Sequence, residues 1–91
     1  MELKNISSEN LSELNYGKWI VVFWVPWGKP SFKEMRLVRS SRSKSMLACV
    51  NVEDNPDIAE KFKVSFFPTT IHLNQGRESK RIFGFSGRRD S

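Results

Sequence analysis

A single cysteine, Cys49, and a single histidine, His72, leave this 91-residue chain short of reactive side chains. One thiol forms no internal disulfide, and no set of four Cys or His ligands exists for a structural zinc. One imidazole excludes a histidine cluster, so no metal site is expected. Long apolar runs are also missing. The longest, Trp19 to Trp27, falls far short of the roughly 18–20 residues of a membrane-spanning helix, and Pro26 interrupts it. The first residues, Met1-Glu2-Leu3-Lys4-Asn5, lack the basic start and apolar stretch of a secretory signal, so a cytoplasmic location is expected. Gly28-Lys29-Pro30-Ser31 has a passing likeness to the end of a phosphate-binding loop. Trp24 stands where the upstream glycine should be and a proline intervenes, so no cofactor is expected.

What the chain does have is enough apolar material for one small core. Hydrophobic residues make up 38%, with seven Phe and three Trp among them, and the length suits one domain. A domain of this size buries a smaller share of its surface than a larger one, so its stability margin is thin. The net charge of +5 is unevenly spread. Lys29, Lys33, Arg36, Arg39, Arg42 and Lys44 face Glu34 alone between residues 29 and 44, while the rest of the chain is balanced. Such a segment suits a solvated helix face and loop, or an acidic partner, an anionic membrane or nucleic acid. No aromatic residue interleaves with its last four basic residues, so a nucleic-acid surface is not the expected reading.

Organisation follows from hydrophobic periodicity. Leu3 to Ile6 reads as a short strand. Ser7 or Ser8 can cap a helix near residues 8–14, whose Leu11 and Leu14 share one face. Asn15-Tyr16-Gly17-Lys18 is a stop and a turn. Trp19 to Val25 is β-branched and aromatic without a polar residue, as in a strand buried on both faces at the centre of a sheet. Phe32, Met35 and Val38 recur at intervals of three and predict a helix over about 31–39. Residues 40–45 read as a loop or frayed helix end. Leu47 to Val52 is the next strand. Pro56 opens a helix that Asn55 can cap, with Ile58, Ala59 and Phe62 inward. Thr70 to Leu73 and Arg77 to Phe85 form a hairpin about Asn74-Gln75-Gly76. The order is β-α-β-α-β-α-β-β, an α/β chain ending in a hairpin. Residues 1–87 are read as one domain and 88–91 as a short polar tail.

Three motifs in this order resemble the thioredoxin family. Phe23-Trp24-Val25-Pro26-Trp27 is similar to its F-W-A-P-W. Asn51-Val52-Glu53-Asp54-Asn55-Pro56 is similar to N-V-D-x-N-P. Val64-Ser65-Phe66-Phe67-Pro68-Thr69 is similar to V-x-x-x-P-T, and the resemblance implies a cis bond before Pro68. It covers about Leu3 to Gly87 and implies a thioredoxin fold, a central mixed sheet flanked by helices. The segment from Ser31 to Asn51 is about a helical turn shorter than usual, and the family's last helix would begin where residues 88–91 stand. The central strand would then keep one apolar face uncovered, and either marginal stability or self-association through that face is expected.

The resemblance also marks what is missing. The family's C-x-x-C corresponds to Gly28-Lys29-Pro30-Ser31, and its buried Asp to Val22. Disulfide exchange needs an attacking thiolate and a resolving thiol, which neither Gly28 nor Ser31 supplies. A catalytic residue is therefore not expected at these degenerate positions. The scaffold implies a surface for a protein or peptide partner made of Trp27, Gly28, Lys29, Pro30, Phe67, Pro68, Phe83, Gly84 and Phe85. Phe66 is read as the inward neighbour of Phe67. Cys49 falls where the family has a lysine near its Asp and is read as a small buried hydrophobe; the rival is a relocated redox thiol in an oxidoreductase of this family. A truncated inactive paralogue is a third reading. Asn5-Ile6-Ser7 and Asn10-Leu11-Ser12 are glycosylation sequons, and Arg36-Leu37-Val38-Arg39-Ser40 resembles a kinase substrate better explained as a solvated loop. His72 is read as an exposed or satisfied sheet residue.

Overall fold

The computed structural model describes residues 3–27 and 45–84. Five strands form one sheet: β1 Leu3–Asn5, β2 Lys18–Trp24, β3 Met46–Asn51, β4 Thr69–Asn74 and β5 Arg77–Phe83, in spatial order β1-β3-β2-β4-β5. The β1–β3 and β2–β3 pairs are parallel, and β2–β4 and β4–β5 antiparallel. The apolar segment around Trp19–Val25 therefore supplies the middle strand, as its lack of polar residues requires.

Alternation along the strands divides the core into two faces. Trp19, Val21 and Phe23 of β2 join Ala48 and Val50 of β3 and Ile71 and Leu73 of β4 on the first face. Leu14 and the helix α1, Pro56–Lys61, cover it through Ile58 and Ala59, and Phe62 packs on Phe23 with ring centroids 5.5 Å apart. Proline at the first turn of α1 loses no hydrogen bond there. On the second face Ile20, Val22 and Leu47 cluster with Leu3 and Trp24. All three central residues are buried, so the expected bare patch is not found at them. No described helix packs on this second face among the elements in contact.

Several expected boundaries shift. The helix near 8–14 is a 3-10 turn, Leu11–Asn15, too short for an α-helical stripe. Neither Ser7 nor Ser8 caps it. Ser7 Oγ instead accepts from the Glu9 amide, and the Asn10 side chain ties the Ser7 amide to the Asn5 carbonyl. Local side-chain bonds of this kind compete with helix formation. Asn55 makes no side-chain cap and donates to the Asn51 carbonyl at 3.0 Å. Strand β1 ends at Asn5, β3 begins at Met46 and ends at Asn51, β4 begins at Thr69, and β5 ends at Phe83. The helix expected over 31–39 lies outside the described residues.

The hairpin turn is as short as its sequence suggests. Asn74 pairs with Arg77, leaving Gln75 and Gly76 as a two-residue loop with φ of 53° and 81°. Positive φ at both central residues matches the twist of antiparallel strands, and glycine adopts it freely. A bulge follows between His72 and Leu73, opposite the charged edge strand β5.

That strand is anchored to α1 by Arg81. Its guanidinium forks onto both Glu78 carboxylate oxygens at 2.8 Å and reaches the Phe62 and Lys63 carbonyls at 2.8 and 3.1 Å. These carbonyls lie at the C-terminal end of the helix, where a cation is favoured. The Arg81 hydrogen bond holds the Glu78 carboxyl below its ordinary range. Glu78 is 40% exposed, so the ion pair itself contributes little, and the carbonyl bonds carry most of the effect. Arg81→Met is expected to cost about 1–2 kcal/mol. A urea titration comparing it with Arg81→Lys checks this, because lysine keeps the charge and loses the fork.

Candidate functional site

The sheet topology brings three of the predicted segments to one end. Phe23 of β2 pairs with Thr69 of β4, and Thr69 pairs with Phe83 of β5, so one row crosses three strands. Beyond this row β2 runs out into Val25-Pro26-Trp27, β4 is entered from Phe66-Phe67-Pro68, and β5 runs out into Gly84. Residues far apart in sequence thus share one end because β4 is antiparallel to both neighbours.

The details tighten the junction. The Phe67–Pro68 peptide bond is cis. The Gly84 amide donates to the Pro68 carbonyl at 2.8 Å, fastening the turn after β5 to the segment before β4. Gly84 has φ of 79°, a backbone that L side chains rarely adopt, and a Cβ there would meet nothing within 4 Å. The constraint at Gly84 is thus conformational and leaves the space above it open. Thr69 Oγ1 donates to the Phe66 carbonyl. The backbone of Phe67 makes no hydrogen bond among the described residues.

Trp27 is 70% exposed. The two neighbouring phenylalanines reverse the expected roles. Phe67 packs against the first-face core, whereas Phe66 is 54% exposed. Phe66 meets Phe83, itself 61% exposed, edge to face with centroids 6.1 Å apart. Phe66 is the residue that sequence reasoning missed at this end. The signal was present as two adjacent aromatics before a proline, with no local pattern to say which turned outward. Pro68 is buried beside the row. Gly28, Lys29, Pro30, Ser31 and Phe85 lie outside the described residues. An apolar groove of about 490 Å³ bordered by Leu3, Tyr16, Trp19, Met46 and Leu47 sits at the opposite end of the sheet.

Cys49 lies away from this end, within β3. It pairs with Val22 on β2 and Asn5 on β1, and its Sγ donates to Asn5 Oδ1 at 3.0 Å. The two positions that the resemblance matched to a buried Asp and a nearby lysine are thus direct cross-strand partners, here Val22 and Cys49. Burial pushes the Cys49 thiol up, and a hydrogen bond with Trp24 offsets part of that. A buried thiol with a raised pKa is a poor nucleophile, because the thiolate is the reacting form. Iodoacetamide labelling of the native chain at neutral pH is expected to run roughly a hundredfold slower than of the urea-unfolded chain, from a local opening cost of about 3 kcal/mol. Equal rates would place the thiol in solvent. The same raised pKa stabilises the fold below the ordinary thiol range, and that contribution is lost as pH rises through the folded value. Among the described residues no group of three acidic, His or Cys side chains is arranged to hold a metal ion, and no helix is long and apolar enough to cross a membrane.

No family model matches the chain. A thioredoxin of Mycoplasma pneumoniae is 33% identical over 89 residues, an alignment covering 92% of this chain and 85% of the relative. A thioredoxin of Mycoplasma genitalium is 33% identical over 69 residues, covering 72% and 68%. Among solved structures, a Schistosoma mansoni thioredoxin preprotein superposes with a TM-score of 0.80 at 24% identity, covering 94% of this chain and 89% of that one. A Halobacterium salinarum thioredoxin gives 0.81 at 16% identity, covering 93% and 80%. The solved structures share the fold, and the Mycoplasma relatives share the sequence along most of its length: the chain belongs to the thioredoxin family.

Proposed function

We propose that this chain is a binding module that keeps the thioredoxin scaffold and works without dithiol exchange. The observation that carries the reading is the position of its one thiol. Cys49 is buried inside β3, and glycine and serine occupy the two positions where the family resemblance requires cysteines. Fold and chemistry separate in this way because a site is grafted on a scaffold and can be lost alone.

Support for binding comes from the same end of the sheet. Trp27, Phe66 and Phe83 expose aromatic surface there, and aromatic residues are enriched where proteins recognise partners. Among the described residues the Phe67 backbone has no partner, which leaves a donor and an acceptor for an extended peptide. The oxidoreductase alternative requires Cys49 to reach a substrate disulfide, and its burial and raised pKa weigh against that.

The test is dithiothreitol-driven reduction of insulin. The chain is expected to match both the uncatalysed rate and a Cys49→Ala control. Turnover above that control would return the protein to the enzymes of its family.

A further inference from the structure

Exposed apolar surface also gathers at the other end of the sheet, away from the cis-Pro segment. The groove of about 490 Å³ lies there, where the parallel strands β1, β2 and β3 begin. Tyr16 is 71% exposed and Met46 46% exposed at this groove, while Trp19 and Leu47 are buried. Trp19 pairs with Met46 in register, and its Nε1 donates to the Tyr16 carbonyl at 2.8 Å. The indole's one polar group is thereby used, and its ring offers only apolar surface. The turn that carries Tyr16 is held from outside the groove. The Gln75 amide of the β4–β5 hairpin donates to the Gly17 carbonyl at 2.9 Å. Gly17 has φ of 81°, and a Cβ there would sit 3.4 Å from Met46 Cε, so Met46 lies along this turn. Lys4 Nζ and Glu13 Oε1 meet at 2.7 Å across the groove's polar side. That exposed ion pair adds little stability, but it cancels the charge of both partners.

We infer that this groove is a binding site for an uncharged aromatic small molecule. It is separate from the cis-Pro end and stands or falls independently of the binding reading given above. Volume, lining and charge select the ligand. The volume falls within the range of roughly 300–1,000 Å³ typical of small-molecule clefts. The lining joins the rings of Tyr16 and Trp19 to the thioether of Met46. Ring-on-ring and sulfur–ring contacts are favourable beyond the area they bury, which suits an aromatic occupant. Among the described residues lining the groove, the charged ones are Lys4 and Glu13, and they pair with each other. An anionic ligand would have to take Lys4 from Glu13, and a cationic one Glu13 from Lys4, so a neutral molecule is favoured. Size weighs against a second copy of the chain. The exposed parts of Tyr16 and Met46 come to roughly 250 Å², on side-chain areas of about 200 Å². A stable dimer needs about 800 Å² from each partner.

The test titrates the full chain with two fluorescent probes that share the same rings. N-phenyl-1-naphthylamine is uncharged, and 1-anilinonaphthalene-8-sulfonate adds a sulfonate. The uncharged probe is expected to bind saturably and about tenfold or more tightly than the sulfonate, which brings an unpaired charge to an apolar site. Tyr16→Ser and, separately, Met46→Ser are expected to weaken the uncharged probe about tenfold, the scale of losing one apolar wall. Glu13→Gln frees the Lys4 ammonium and is expected to bring the sulfonate within about threefold of the uncharged probe. Phe83→Ser, at the far end of the sheet, is expected to leave both affinities unchanged. These substitutions fall on exposed side chains, and circular dichroism checks that each variant is folded. Equal affinities for the two probes in the parent overturn the assignment of an uncharged ligand. Binding that survives Tyr16→Ser and Met46→Ser but is lost with Phe83→Ser overturns the groove as the site. Absence of saturable binding by either probe overturns the site altogether. Concentration-dependent dimerisation of the parent that Tyr16→Ser abolishes overturns the small-molecule assignment, because the groove would then seat a second copy.

Discussion

The Gly28→Cys/Ser31→Cys double variant is expected to carry out disulfide exchange well above the level of the parent. The described scaffold leading to those positions persists as far as Trp27. Strand β2 delivers Pro26 and Trp27 to the end of the sheet where Pro68 and Gly84 are fastened together. Two thiols at positions 28 and 31 supply the attacking and resolving groups that the chemistry requires. Insulin reduction should rise on the order of a hundredfold above the parent, the scale that an activated thiolate provides. Val22 is fully buried and offers no carboxylate for proton transfer, so the gain should stop short of a complete site. Each single variant should remain near background, since one thiol forms an adduct that nothing resolves. A double variant that forms its disulfide yet reduces no insulin would show that this end of the sheet no longer presents a substrate correctly.

The second large effect is on stability. Phe23→Ala should remove most of the folding free energy. The ring is fully buried in the central strand, packs on Phe62 and shares the first-face cluster with Val21, Val50 and Ile71. Truncating such a side chain costs about 3–5 kcal/mol through lost transfer energy and the cavity left behind. Total stabilities run only about 5–15 kcal/mol, and a chain this small sits towards the lower end. For a domain of this length that loss lowers the melting temperature by roughly 15–30 °C. Phe83→Ala is the matched control. Its ring is mostly exposed, and surface truncations of this kind stay within about 0.5 kcal/mol. Similar losses from both variants would show that Phe83 belongs to the core and that the outward pair has been misplaced.

Much of the fold was legible in the chain. A seven-residue stretch with no polar side chain has one stable place in an α/β domain, the middle of the sheet, and β2 lies there. Pro56 opened α1, and Gly76 closed the hairpin, because each supplies a backbone angle that other residues adopt less readily. The missing thiols needed no structure at all, since composition alone excludes a dithiol. The short turn at Leu11–Asn15 was harder to read. An apolar pair three residues apart fits a 3-10 turn as well as an α-helix, and the Asn10 side chain settled the choice by bonding to Asn5 and Ser7.

The sequence by itself determined the sheet order's central member, the family likeness and the absence of a second cysteine, because these depend on residue types and their spacing along the chain. Tertiary structure alone decided which of two adjacent phenylalanines faces solvent. Phe66 and Phe67 are chemically identical and differ only in what the fold sets beside them. The core takes Phe67, and Phe83 arrives from the edge strand to meet Phe66. The same holds for Val22 and Cys49, which are 27 positions apart and become partners only when β2 and β3 pair in register. Arg81 belongs with them, since the helix-end carbonyls that fix its guanidinium come from a segment 18 and 19 residues earlier. Such long-range contacts are closed by the paths of strands across the sheet, and nothing in the local sequence encodes them.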